Sequence, residues 1–288
     1  MNHKEEKVIR LYHYTKAETL QKILKSKRLL LTAASDSNDP FECSFNAGNA
    51  SGCDRESLDH AVTEIKDDPP LFISFSQVMS SPSMWSHYAD SHRGVCLVFD
   101  IPVTMYTEKN PPSPELLATA RAIYPIEYTS KQPNWDDIQL TDSTKRYQRL
   151  LRDAITRKGG EWEFEHEVRL LAAMAVPTPE RHMDITWESG VPFLMGMIGF
   201  LKGVILGARC NLRISSVEAL IREYLDGAKM TVARAKCSHT DYRIEAGDFI
   251  DSVEDTEEIQ RFFEEDANGE KIDRVWYMQP NLSDAPAE

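Results

Sequence analysis

Val8-Ile9-Arg10-Leu11-Tyr12-His13-Tyr14 reads as a strand, and Thr15 then stands before a helix with Glu18 three residues on, at capping-box spacing. Leu20, Ile23 and Leu24 recur at helical spacing and give that helix an apolar stripe. A short strand, Arg28 to Thr32, follows, and Ser35-Asp36-Ser37-Asn38-Asp39-Pro40 is dense in turn formers and predicts a loop. The spacing predicts a helix over 55–65 with Leu58, Val62 and Ile65 inward, then a strand from Leu71 to Ser76. Ser81-Pro82-Ser83 opens a short helix, Met84 to Asp90, and Gly94 starts the strand Val95 to Ile101. This mixture of strands and short helices, without regular β-α-β alternation, predicts an α+β fold rather than a parallel doubly wound sheet.

The rest of the chain continues the mixture. A proline-rich loop covers 110–114, and residues 142–158 predict a helix with Tyr147, Leu150, Leu151 and Ile155 on one face. That helix carries Lys145, Arg146, Arg149, Arg152, Arg157 and Lys158 against Asp153, which suits either a solvated face or a groove wall for an anion. Strands are expected at Val168 to Ala175 and Val204 to Leu206. Ser215 and Glu218 should cap a helix bearing Val217, Leu220, Ile221 and Tyr224, and Met230 to Ala235 with Tyr242 to Glu245 should close as a hairpin.

The 288 residues carry a formal charge of −13, but residues 251–288 hold twelve acids and three bases, so the body carries only −4. The division expected is a body over 1–250 and an acidic C-terminal extension over 251–288. The extension still contains Ile259, Phe262, Phe263 and Val275-Trp276-Tyr277, so a short helix near 254–265 and a protein partner for the tail are expected. No apolar run approaches the ~20 residues of a membrane helix. The start of the sequence lacks the apolar stretch of a signal peptide. Five cysteines, odd in number and widely spaced, form no C-x-x-C pair. These features argue against a disulfide framework and a structural zinc site and point to the cytoplasm.

Dinucleotide, P-loop, nucleophile-elbow and zinc-protease motifs are absent. Four clusters could carry chemistry. In Leu11-Tyr12-His13-Tyr14-Thr15, alternation turns His13 away from Tyr12 and Tyr14. Asn38-Asp39-Pro40-Phe41-Glu42 reads first as a turn. Trp85 and Tyr88 are three apart, so they share a helix face, as core or as a platform for a flat ring. In Trp162 to Arg169, alternation in an extended segment places Glu163, Glu165, Glu167 and Arg169 on one face. The plainest account of Glu167 with Arg169 is a salt bridge.

Leu-Tyr-His-Tyr-Thr, Asn-Asp-Pro-Phe-Glu, Phe75-Ser76, Met-Trp-x-x-Tyr and Glu165-x-Glu167-x-Arg169, in that order, resemble a large uncharacterised bacterial domain family that is similar to the ADP-ribosyltransferase superfamily. The resemblance covers roughly residues 10 to 245. It implies a split mixed sheet with short helices and NAD as the cofactor. It further implies that His13 and Tyr14 lie at the NAD site, His13 on a ribose hydroxyl of the adenosine half. Ser76 would support the catalytic acid, and Tyr88, with Trp85 beside it, would stack on nicotinamide. Glu167 would be the catalytic carboxylate, with Glu165 handling the acceptor. Asn38, Asp39, Glu42 and Arg169 stand as acceptor-side or structural residues.

That chemistry suits these residue types, because cleaving the nicotinamide–ribose bond develops positive charge that a carboxylate stabilises best where water is excluded. The function expected is NAD-dependent ADP-ribosyl transfer to a protein, a nucleic acid or a small molecule, and a bacterial toxin or phage-defence setting suits it. One alternative is a metal-dependent nuclease or phosphoesterase holding Mg²⁺ on Asp39, Glu42, Glu165 and Glu167, although no lysine stands out beside those acids. The other is a non-catalytic binding module.

Overall fold

The computed structural model describes residues 8–67, 69–102, 123–173, 185–226, 228 and 230–252. The strands are β1 (Val8–Thr15), β2 (Arg28–Leu30), β3 (Thr32–Ala33), β4 (Leu71–Ser76), β5 (Val95–Pro102), β6 (Ile123–Pro125), β7 (Glu127–Thr129) and β8 (Arg157–Gly159). They continue with β9 (Glu167–Ala173), β10 (Ile185–Glu188), β11 (Val191–Met195), β12 (Leu201–Leu206), β13 (Thr231–Arg234), β14 (Lys236–Cys237) and β15 (Ile244–Glu245). The helices are α1 (Ala17–Ser26), α2 (Gly52–Asp67), α3 (Pro82–Tyr88), α4 (Ser143–Thr156) and α5 (Ile214–Tyr224). Among them no helix is long and apolar enough to cross a membrane.

The architecture is α+β, as the sequence predicts. The main sheet is mixed, in the order β13-β12-β5-β1-β4-β9-β6, with β3 added on β4. Strand β1 pairs with β5 along its whole length, from Val8 opposite Pro102 to Thr15 opposite Val95. Its pairing with β4 is a single position, Tyr12 opposite Ser76, and β3 takes up the other end of β4 at Thr32 opposite Phe72. The main sheet is therefore barely joined between β1 and β4.

Strand alternation then sorts the side chains. Ile9, Leu11, Ile73, Phe75, Leu97 and Phe99 face one layer, which α1 covers with Leu20, Ile23 and Leu24 and α5 covers with Val217 and Ile221. Tyr12, Tyr14, Cys96 and Val98 face the other, beneath Met84 and Trp85 of α3 and Phe249 near the end of the described chain.

Several local expectations give way to tertiary structure. Neither predicted capping box forms: Lys16 and Arg213 are the N-cap residues of α1 and α5, and neither helix has a side-chain cap. In α2 the inward positions are Leu58 and Ala61, with Ile65 packed against the separate cluster of Phe72, Ile155 and Leu171, whereas Val62 is 38% exposed. The predicted closing hairpin is replaced. β13 runs parallel to β12, joined through α5, and the hairpin is β14 with β15. This one β-α-β unit escapes the sequence pattern because β13 is short and only partly buried.

The boundary expected at 250/251 falls in a segment tied to the body. Tyr12 Oη donates to the Ile250 carbonyl at 2.5 Å, and the Ser252 N–H donates to Gln77 O at 2.8 Å. The Asp251 carboxylate accepts from Met79 N at 2.8 Å and Ser80 N at 3.1 Å. The helix expected near 254–265, Trp276, Tyr277 and the 110–114 loop lie outside the described residues.

The turn after α3 sets a demanding constraint. Asp90, Ser91 and His92 take positive φ values of 45°, 51° and 69° in succession, a costly arrangement for non-glycine residues. It is held by Gly94 N–H on Ala89 O at 2.7 Å and Arg209 N–H on His92 O at 3.0 Å. A Cβ on Gly94 would lie 2.3 Å from Thr15 O, and one on Gly207 would lie 2.1 Å from His92 O. Both neighbours are backbone and cannot swing away. Gly94→Ala and Gly207→Ala are each expected to lower unfolding free energy by about 1–3 kcal/mol or more, the range for overpacking. Urea titration checks this, and unchanged midpoints would contradict it.

Candidate functional site

A buried charged cluster is built where the 160–165 turn enters β9. Residues 160–165 form a 3-10 helix that ends on His166, whose φ of 42° is left-handed. The extended alternation expected over Glu163 to Arg169 therefore breaks: Glu163 is exposed, while Glu165 and Glu167 are buried. The turn at His166 nevertheless brings these two acids together, because Lys158 Nζ lies 2.8 Å from a carboxylate oxygen of each. From Glu167 onward strand alternation resumes, so Arg169 lies on the same face as Glu167.

Arg169 is wholly buried, and its donors are spent within the protein. Nε donates to Glu167 Oε1 at 2.8 Å and Nη2 to Glu167 Oε2 at 3.1 Å. Nη1 and Nη2 grip Glu42 at 2.6 and 2.7 Å, and Nη1 also reaches Ile155 O at 2.8 Å. The guanidinium lies over Phe72, 4.4 Å from the ring centroid. Glu167 further accepts from Ser74 Oγ at 2.6 Å, and its N–H donates to Tyr128 Oη at 2.7 Å.

The 37–43 loop is thus both a turn and a wall of the site. Asp39 is buried and accepts from the Phe41 N–H at 2.9 Å, the turn reading. Glu42, held also by Ser37 Oγ at 3.1 Å, is committed to Arg169. Asn38 Nδ2 donates to Tyr88 Oη at 2.8 Å, and Tyr88 Oη in turn donates to Glu165 Oε1.

Electrostatics separates the two glutamates. Burial opposes ionisation of Glu167, but Arg169 and then Lys158 outweigh it and hold its carboxyl down to about 2. For Glu165 burial prevails, with Glu167 adding to it, and the carboxyl is pushed up although Lys158 opposes. Burial would also lower the Lys158 ammonium, but Glu167 and Glu165 more than offset it, so this lysine stays protonated. Burial, followed by the Glu165 contact, pushes the Tyr88 hydroxyl up and keeps it a donor.

The other expected site residues lie around this cluster in supporting positions. Ser76 Oγ donates to the Glu165 carbonyl at 2.6 Å, so it holds the backbone that carries the acid. Tyr14 Oη donates to Val78 O at 2.7 Å, and Trp85 Nε1 donates to Met79 O at 2.8 Å. Together they fix the loop that leads into α3. Trp85 is fully buried edge-on to Tyr14, so unlike Tyr88 it offers no face to a ligand.

His13 does not join the cluster. The register of Tyr12, Ser76 and Glu167 puts these three on one face, and His13, next to Tyr12, points to the other. Its ring stands edge-on to Phe75, 5.8 Å between centroids. Its Nδ1 is 3.1 Å from Ser74 O, and since a carbonyl only accepts, Nδ1 carries the proton. His13 bonds across the place where the β1–β4 ladder parts.

Two features correct the sequence reading. A lysine does stand beside the acids: Lys158 lies not on the helix surface but on β8, 7% exposed, beneath the 160–165 turn. Four of the remaining bases are paired or stacked within the protein, and Lys145 is exposed. Arg149, Arg152 and Arg157 converge on Asp153, Arg157 also pairs with Glu127, and Arg146 lies over Trp135. The signal that could have found Lys158 is its position before Gly159-Gly160, past the end of the amphipathic pattern.

An aromatic run leads outward from Glu165. Tyr88, His87, Phe164 and Trp162 follow one another with ring centroids 6.1, 5.6 and 6.2 Å apart. His87 is exposed and the other three are half-buried. Among the described residues no three His, Cys, Asp or Glu side chains group as metal ligands.

A family model described as a protein of unknown function (DUF2971) matches residues 84–170, under a third of the chain. The matched stretch carries Trp85, Tyr88, Lys158, Glu165, Glu167 and Arg169, but not His13, Asn38, Glu42 or Ser76. No curated protein and no solved structure matches the chain.

The cluster dictates a pH dependence of stability. Glu167 is depressed in the folded state, so its contribution is present above its ordinary range near 4.5 and is lost as pH falls toward about 2. Glu165 has the opposite sign, because a raised carboxyl favours the fold more as acid protonates it. Glu167→Gln should be less stable than the native chain by about 3–5 kcal/mol at pH 7, the scale for breaking a buried pair. The gap should narrow steeply below pH 4.5. Urea unfolding at pH 7, 4.5 and 2.5 measures it, and a gap independent of pH would refute the pairing.

Proposed function

We propose that this site performs NAD-dependent ADP-ribosyl transfer, with Glu165 as the catalytic carboxylate. The observation that carries the reading is a buried acid opening, through Tyr88, onto a run of aromatic faces. A dinucleotide with a flat, cationic ring next to a ribose suits that pairing of features, since ring faces attract cations and stack on planar groups. The resemblance of the sequence motifs to an uncharacterised family that is similar to the ADP-ribosyltransferase superfamily supports the same reading.

In the reaction the bond between the ribose anomeric carbon and the nicotinamide nitrogen breaks, and its electron pair leaves with neutral nicotinamide. The ribosyl centre becomes positive. The ionised Glu165 stabilises that charge in a site that excludes water. A nucleophilic atom of the acceptor then bonds to the anomeric carbon, and its proton passes to Glu165 or to solvent. A ribose hydroxyl takes the place of Tyr88 Oη on Glu165 Oε1, which frees the Tyr88 ring to meet nicotinamide. The family resemblance gives the charge-stabilising role to Glu167. Here it passes to Glu165, because every oxygen of Glu167 is already engaged by Arg169, Lys158 and Ser74. His13, across the sheet, has a structural role in this reading rather than a contact with NAD.

The metal-dependent phosphoesterase alternative now has its lysine, but the ammonium of Lys158 fills the space between the two carboxylates that a Mg²⁺ ion would need. The test is release of nicotinamide from NAD by the purified chain, alone and with protein, RNA, DNA or small-molecule acceptors. Glu165→Gln should lower the rate about a hundred- to a thousand-fold, the scale for removing one electrostatic stabiliser. No release with any acceptor would overturn the proposal. Mg²⁺-dependent phosphodiester hydrolysis in its place would establish the alternative.

A further inference from the structure

We propose that Lys158 is the positioning residue of this site: its ammonium, 2.8 Å from both Glu165 and Glu167, keeps Glu165 ionised and holds it facing Tyr88. The inference rests on the ADP-ribosyl-transfer reading for its catalytic meaning, but its electrostatic core is independent of turnover.

Three buried carboxylates, Glu42, Glu165 and Glu167, share two cations. Arg169 is exhausted by Glu42, Glu167 and the Ile155 carbonyl, and none of its contacts reaches Glu165. The groups that bear on Glu165 are Tyr88 from α3, Lys158 from β8, Tyr128 from β7 and Glu167 from β9. Two of these are neutral hydroxyls, of which Tyr88 donates to the carboxylate, and one is a like charge. Lys158 is therefore the sole cation in contact with Glu165 among the described residues. A carboxylate so buried, beside a second carboxylate and without that cation, would take up a proton.

The bond also fixes direction. Lys158 takes Glu165 Oε2 and leaves Oε1 to Tyr88, the side from which the aromatic run is reached. Placing the ammonium on β8 makes this geometry rigid, since β7 pairs with β8 at Tyr128 opposite Lys158 and Tyr128 in turn binds the Glu167 N–H. One strand pair thus sets the cation and the acid at fixed separation.

The sign of the effect follows. Glu165 must be ionised to stabilise a positive ribosyl centre, so the rate falls as pH drops through its ionisation. Removing Lys158 shifts that ionisation to higher pH and should move the acidic limb of the pH–rate profile upward by about 1–3 pH units, the range for loss of an adjacent opposite charge. Lys158→Arg should keep the limb near its native position. A residue that merely packs would lower the rate at every pH and leave the limb in place.

The deciding measurement is the side-chain ¹³C carboxyl titration of Glu165 by NMR in the native chain and in Lys158→Met. It needs no substrate. An upward shift of at least about one pH unit is expected, and an unchanged Glu165 titration overturns the proposal. Should Lys158→Met fail to fold, the Lys158 ¹⁵Nζ resonance of the native chain decides. It must follow the Glu165 titration, and an ammonium signal blind to that titration overturns the proposal equally. A native chain that releases no nicotinamide removes the ADP-ribosyl-transfer reading alone, because the carboxyl titration still decides the role of Lys158.

Discussion

The guanidinium of Arg169 is the contact on which the rest of the site depends. It is fully buried on the sheet, stacked on Phe72, and ties Glu42 of an early loop to Glu167 at the start of a late strand. Desolvating such a cation is tolerable only with complete pairing, and the bidentate bonds to two carboxylates supply that. The cost of the arrangement explains its rigidity. Any displacement of the 37–43 loop or of the β9 start would leave a buried charge unpaired, a loss of about 3–5 kcal/mol.

That fixed point lets two neighbouring acids differ. Glu167 is on the strand, within reach of Arg169, and is locked as an anion. Glu165 is two residues earlier, on the far side of a left-handed turn, and its carboxylate bonds Lys158 and Tyr88. The first acid is part of the frame. The second is a carboxylate under tension between burial and a single cation, the condition in which a protonation state can be tuned for chemistry. Left-handed geometry at His166, rather than strand alternation, creates this difference.

The supporting shell extends outward in the same manner. Ser76 bonds the Glu165 backbone, Tyr14 and Trp85 hold the loop that enters α3, and Asp251 binds two N–H groups of that loop. Tyr88 therefore reaches Glu165 from a short helix whose approach is fixed at several points. The segment through Ser252 belongs to this frame, because its polar groups are paired with Gln77 and the Arg10 carbonyl.

The sequence by itself determined the α+β class and most strands, and it singled out Glu42, Glu165, Glu167, Arg169 and Tyr88, which the fold brings into one cluster. Apolar periodicity and turn residues are local signals, and Val8–Thr15, Leu71–Ser76 and Val95–Pro102 carry them plainly. The Glu167–Arg169 salt bridge was legible too, since two residues of one strand share a face whatever the sheet. Which residues meet was decided by the tertiary structure. Lys158 reads as one more base at the end of a basic helix until β7 pairs with β8 and turns it beneath Glu165. His13 reads as a site residue until the register of β1 with β4 sends it to the opposite face. Trp85 and Tyr88 share a helix face, yet only packing against Tyr14 puts the first in the core and leaves the second at the acid. Pairing of distant strands and burial of charge are non-local, and no spacing along the chain encodes them.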